Sequence, residues 1–150
     1  MYKGIMKLFI SLFLLSIFCT SYAQVKEKLK AGIYYIKQKG IKLKVKKENR
    51  FYCIDKQPAV IFNQYTKFQI DMDQFNKPAL YFQLDTLGTK RFFEATKKYI
   101  GKELAIVVDG EIISYPRVMQ PIKGGKAMIS GLTTQELEEI KVKIENQIKL

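Results

Sequence analysis

No histidine occurs anywhere in this 150-residue chain. The commonest general base, nucleophile activator and metal ligand is therefore missing, and Ser-His-Asp or Cys-His catalysis is excluded. Cysteine is nearly absent as well. Cys19 lies within an apolar N-terminal run, and Cys53 is the only other one. Once the N-terminal run is removed, neither an internal disulfide nor a cysteine metal cluster can form. Cys53 sits in the alternating stretch FYCI, where a lone cysteine reads as a small buried apolar residue. Long hydrophobic runs are limited to the N-terminus. Leu8 to Phe18 is shorter than the roughly 20 apolar residues of a spanning helix, and no second candidate follows it.

Residues 1–23 have the layout of a secretory signal peptide. Lys3 and Lys7 precede the apolar run, and Ser21, Tyr22 and Ala23 precede Gln24, so small residues stand one and three places before a cut after Ala23. The alternatives are a retained anchor, and a lipoprotein that begins at Cys19. The second is opposed by bulky Phe18, where that processing wants a small residue. The mature chain is expected to be exported to the periplasm, soluble or peripheral, and of a length suited to one domain.

Charge is unevenly placed. The whole chain carries a formal +12, while residues 26–50 hold ten Lys or Arg against only Glu27 and Glu48. This divides the mature chain into a basic arm of strands, 24–50, and a nearly neutral body, 51–150. The arm is the part suited to an anionic surface.

The pattern along the chain predicts α+β architecture: a mixed or antiparallel sheet with two principal helices packed on it. GIYYI at 32–36, IKLKVKK from Ile41 and FYCI at 51–54 read as a three-stranded meander. In the second of these Ile41, Leu43 and Val45 share one face, and Lys42, Lys44 and Lys46 share the other. Residues 59–70 give no clear pattern, and ALYFQL at 79–84 reads as a strand. A helix starting within 86–89 follows, with Phe92, Phe93, Thr96 and Ile100 at helical spacing, Lys90, Arg91, Lys97 and Lys98 on its wet face, and Gly101 as terminator. ELAIVV, Asp109-Gly110 and EIIS form the strongest hairpin signal, because both turn positions tolerate positive φ. Pro116 ends the second strand or confines its end to an edge. Gly124-Gly125 turns into KAMIS. Thr133 with Glu136 is a capping box, Leu132 can staple onto Leu137, and Leu137, Ile140, Ile144 and Ile148 form one apolar stripe.

Between 79 and 131 these elements carry a recurring set of residues. Gly88, Arg91, Phe92 and Thr96 mark the first helix. Gly101, Leu104, Ala105, Ile106, Val107, Asp109, Gly110, Ser114 and Pro116 mark the hairpin. Gly124, Gly125, Ile129, Ser130, Gly131, Thr133 and Glu136 complete the series. In order and spacing they resemble the periplasmic head domain of SecD, a subunit of the bacterial protein-export translocase. The matching positions are mostly glycine, proline, apolar residues and caps, so the resemblance implies a shape and an export setting and brings no catalytic group. Tyr115 departs from the small residue usual before the proline.

No enzymatic activity and no cofactor are expected. Asp71 with Asp73, and Asp109 with Glu111, are carboxylate pairs within single strands or turns, where neighbours point apart. Hydrolytic or metal chemistry would require Asp109, Glu111 and one of Asp71 or Asp73 to converge. Gly124-Gly125-Lys126 lacks the Ser or Thr and the following helix of a phosphate loop. The expected role is that of a binding module for unfolded polypeptide or a protein partner in the cell envelope. Its contact residues would be Ser114, Tyr115, Pro116, Val118 and Met119 at the end of the hairpin, where sheet edges bind extended chains through backbone hydrogen bonds. The alternative is peripheral contact with anionic lipid or glycan through Lys42, Lys44, Lys46 and Lys47, a ribbon that equally serves to blunt an edge strand. Nucleic acid is not an expected partner of an exported chain.

Overall fold

Asp109 (φ 52°) and Gly110 (φ 77°) reverse the chain in two residues, as the Asp-Gly signal requires. They join β7 (Leu104–Val108) to β8 (Glu111–Ser114) in the computed structural model, which describes residues 29–149. The leader read at 1–23 lies outside the described residues. Ile113 is an extra residue in this ladder: Ile106 faces Ser114, whereas Val107 faces Ile112.

Among the described residues there are nine strands and two helices, an α+β arrangement of antiparallel sheets. The remaining strands are β1 (Gly32–Lys37), β2 (Ile41–Lys44), β3 (Phe51–Ile54), β4 (Val60–Ile61), β5 (Lys67–Met72), β6 (Pro78–Gln83) and β9 (Lys126–Ile129); the helices are α1 (Thr86–Lys98) and α2 (Thr134–Ile148). The first sheet runs β2-β3-β1-β7-β8, with β4 added beside β1, and the second runs β5-β6-β9.

The first three strands are not a meander, because β3 lies between β1 and β2. Ile36 and Ile41 both stand opposite Ile54, so residues 38–40 shift the chain sideways without reversing it. β1 and β2 therefore point the same way. The first sheet then curls until its outer strands meet: Val45 bridges Ile112 in parallel, and the Lys46 N–H donates to the Ile112 carbonyl at 2.9 Å.

Curling gives the sheet two buried faces. Inside it lie Tyr34, Leu43, Val45, Ile54, Ala105, Val107 and Ile112. Burial pushes the Tyr34 phenol up to about 12, and its hydroxyl donates to the Lys30 carbonyl. On the other face Ile33, Leu104, Ile106 and Val108 join the larger core, completed by Leu80, Phe82 and Ile129 of the second sheet and by residues of both helices. Every residue of β7 is buried, since each of its faces belongs to a core. A strand covered on both sides loses the polar-apolar alternation of a half-buried one.

The stretch without a clear sequence pattern holds β4 and the start of β5. It supplies Phe62 and Phe68, whose rings lie 5.2 and 6.4 Å from Phe82. In α1, Phe92 and Thr96 are buried but Ile100 is exposed. The helix has already ended at Lys98, and Gly101 (φ 76°) turns the chain away.

α2 carries the full capping box between Thr133 and Glu136. Leu137, Ile140 and Ile144 are completely buried, and Ile148 packs partly against the same core. Each such burial is worth about 1.5–3 kcal/mol, whereas an exposed ion pair gives about 1 kcal/mol at most. The apolar stripe therefore holds α2 in place.

Two predictions test this frame. Gly125 has φ 65°, and a Cβ there would lie 2.0 Å from Thr89 Oγ1, while at Gly124 a Cβ meets nothing within 4 Å. Gly125→Ala should lower the unfolding free energy measured in urea by more than the about 1–2 kcal/mol that left-handed backbone alone costs, and Gly124→Ala should leave it nearly unchanged. The second concerns Glu136, which accepts from Lys47 Nζ and from the Thr133 N–H, both at 2.8 Å. The Lys47 ammonium first, and then the cap, bring its carboxyl from the ordinary 4.5 to about 2. A depressed carboxyl stabilises the fold above its unfolded value, and the benefit disappears as pH falls through the folded one. The gap in urea midpoint between the native chain and Glu136→Gln should be full above about 4.5 and shrink steadily towards pH 2.

Candidate functional site

The β7–β8 hairpin does not stop at Pro116. The Leu104 N–H donates to the Pro116 carbonyl, the Val118 N–H to that of Lys102, and the Gly101 N–H to that of Val118; Glu103 bridges Arg117. Pro116 is accommodated at this edge because only its carbonyl is used. Residues 116–118 thus form a ridge that extends β8, and the chain then crosses back over α1.

Thr96 pins that crossing. Its hydroxyl is buried, donates to the Phe92 carbonyl at 2.8 Å and accepts the Ile122 N–H at 3.0 Å. Beneath the crossing lies an apolar cleft of about 290 Å³. Phe92 of α1, Phe82 of β6, Leu104 and Ile106 of β7 and Ala127 of β9 form its walls. Met119, 79% exposed, and Met128, 41% exposed, stand at its mouth. Methionine is flexible and polarisable, which suits it to apolar partners of varied shape. Beside the mouth β9 is an edge strand of the second sheet among the described residues.

The five residues read as contacts divide between two places. Val118 and Met119 line the cleft, Ser114 and Tyr115 line a shallower depression with Glu48 and Leu132, and Pro116 borders both. Val118 is only 7% exposed. It sits where the extended hairpin turns an apolar residue inward, so it is a wall of the cleft and not a surface contact. Tyr115 is engaged within the chain: its hydroxyl donates to Glu48 Oε1 at 2.7 Å and accepts from Arg50 at 3.2 Å, and its ring lies 5.1 Å from that of Tyr52. The Glu48 carboxylate, as first cause, holds the Tyr115 phenol above its usual range.

The four lysines of the ribbon differ in the same way. Lys42 and Lys44 are exposed, with Lys42 Nζ 5.1 Å from the centre of the Phe51 ring, and Lys46 is half-buried. Lys47 is bound to Glu136. The sequence reading missed the residues on other elements that build the cleft, Thr96, Ile122, Ala127 and Met128 among them. Of these, Thr96 carried a signal: a polar residue on the buried side of α1 needs an internal partner.

Among the described residues no group of three or more His, Cys, Asp or Glu is placed to hold a metal. Asp73 accepts the N–H groups of Phe75 and Lys77 in the β5–β6 turn, and Asp109 lies 3.8 Å from Lys143.

Residues 35–146 match the family model described as SecDF, P1 head subdomain. The protein translocase subunit SecD of Treponema pallidum is 34% identical over 96 residues, 64% of this chain and 16% of that protein. The SecD subunit of Rickettsia bellii is 38% identical over 86 residues, 57% of this chain and 17% of its own length. The chain thus spans about a sixth of these relatives. A crystal structure of SecDF in a super-membrane-facing form superposes with a TM-score of 0.59 at 24% identity, over 78% of this chain and 18% of that one, which is a likeness of fold. Among the described residues no helix is long and apolar enough to cross a membrane.

The role of Thr96 can be checked by substitution. Thr96→Val leaves the Ile122 N–H without its acceptor and should cost about 1–3 kcal/mol, with faster hydrogen exchange at Ile122. Thr96→Ser keeps the hydroxyl and should retain most of the amide protection. Equal exchange in the two variants would show that the hydroxyl does not hold the crossing.

Proposed function

The chain belongs to the SecDF P1 head subdomain family, and on that premise we propose that it is an exported binding module, directed to the periplasm by the leader at 1–23, that holds unfolded polypeptide. The observation that carries this reading is the Met-rimmed apolar cleft next to β9, an edge strand among the described residues. An extended segment laid along β9 would make main-chain hydrogen bonds at the edge and place one apolar side chain in the cleft. Main-chain bonds give affinity without demanding a particular sequence. A flexible thioether rim tolerates different side chains. Of the residues first read as contacts, Pro116 and Met119 remain at this opening, with Val118 behind them.

Fluorescence anisotropy with a dye-labelled, permanently unfolded polypeptide, reduced and alkylated, tests the site. Met119→Ser with Met128→Ser removes two partly exposed apolar side chains, so thermal stability should hold while affinity falls about fivefold to thirtyfold, equivalent to about 1–2 kcal/mol of lost burial. Undiminished affinity in the folded double variant would reject the cleft as the binding site.

A further inference from the structure

A second, open groove of about 790 Å³ adjoins the cleft at Arg117, which lines both. Lys37 and Lys39 border it from the end of β1, and Lys102 borders it from the turn after α1. Tyr99 is in its lining, and the ring pair that Tyr99 makes with Tyr35 holds two ammonium groups, of which Lys102 lines the groove. The rings of Tyr35 and Tyr99 are 4.5 Å apart, with Lys98 Nζ 5.1 Å from the centre of the first and Lys102 Nζ 5.4 Å from that of the second. The carboxylates nearby are fewer. Asp55 pairs with Lys37, and Glu103 stands 3.8 Å from Arg117. Lys39, Lys98 and Lys102 have no carboxylate within ion-pair distance among the described residues.

Resting on the reading of the cleft given above, we infer that the site selects, among unfolded polypeptides, segments in which an apolar side chain is followed or preceded within a few residues by carboxylates. The cleft takes the apolar side chain and the adjoining basic groove takes the acidic ones. An extended chain advances about 3.3 Å per residue. A carboxylate two to four residues from the apolar anchor therefore lies about 7–13 Å from it, and Arg117, which lines both the cleft and the groove, is the side chain at which the two meet. Concentrated positive charge also speeds encounter with acidic segments and disfavours lysine-rich ones.

The test uses three dye-labelled unstructured peptides with the same apolar residues, flanked by Asp and Glu, by Asn and Gln, or by Lys. They are titrated into the full-length chain at low and high salt. The acidic peptide should bind about tenfold or more tighter than the lysine peptide, with the neutral one between, and the spread should narrow as salt screens the groove. In the variant K39Q/K102Q, which leaves the cleft lining intact, the acidic advantage should shrink while the neutral peptide binds as before. Equal binding of all three peptides would overturn the selection for acid and leave the cleft reading standing. Absence of binding by any of them would overturn the cleft reading itself. An acidic advantage that persists in K39Q/K102Q would also overturn the inference. So would retention on phosphatidylglycerol vesicles that K39Q/K102Q abolishes and the acidic peptide cannot displace, which would assign the groove to lipid.

Discussion

The structure depends on one strand having no wet face. Leu104, Ile106 and Val108 of β7 belong to the larger core, and Ala105 and Val107 to the smaller one inside the curled sheet. The two cores share this wall, so a displacement of β7 by a single residue would exchange their contents and put every side chain against the wrong partners. β1 performs the same service beside it, with Ile33 on one side and Tyr34 on the other. The two-residue Asp109-Gly110 turn sets the register of β8, in which strand alternation sends Ile112 to the smaller core and Ile113 to the larger. The ridge at 116–118 inherits its position from that ladder. A cleft built on it is as well placed as the cores themselves.

Charge has been arranged around this frame without entering it. The Lys-rich second strand puts Leu43 and Val45 inside and leaves Lys42 and Lys44 in water. Its continuation supplies Lys47, which reaches the cap of α2 at Glu136. An exposed ion pair by itself contributes little. Here the same carboxylate also closes the capping box, so that one group fixes the start of a helix against the strand that closes the first sheet. The basic character of the chain therefore has two parts. One serves as cover and fastening for β2. The other is gathered around the end of α1 and the ridge, where few carboxylates balance it.

What could be read from sequence was local. The capping box, the Asp-Gly turn and the apolar stripe Leu137, Ile140 and Ile144 each state their conformation within a few residues, and the structure has them all. The α+β class and the likeness to the SecD head followed from their order. The failures were matters of pairing over distance. Nothing in IKLKVKK distinguishes a strand that turns back on β1 from one that carries on past a kink, and only the shared partner Ile54 settles it. β4 has just two residues, too few to show a period. The inward place of Val118 depends on a partner across the ladder, Lys102, in a turn that no alternation marks. The cleft was illegible for the same reason, since its lining comes from α1, β6, β7, the ridge and β9.

This distribution of information bears on how such a domain can bind. The residues that carry the family likeness are turns, caps and core positions, the parts that make register and packing reproducible. The mouth of the cleft is made instead from Met119 and Met128, two exposed and flexible side chains. A rigid wall beneath a compliant rim separates two requirements: the frame keeps an edge strand and an apolar recess at fixed spacing, and the rim adjusts to what enters. Affinity drawn from main-chain hydrogen bonds and one buried side chain stays modest, because ordering a flexible segment costs about 1–2 kcal/mol per residue fixed. Modest affinity is what a surface needs if it is to release a chain as readily as it takes one up. On the proposed reading, discrimination comes from long-range charge, which raises the encounter rate without deepening the bound state by as much. The selective element of that reading is the basic groove at Arg117, and the recess is general.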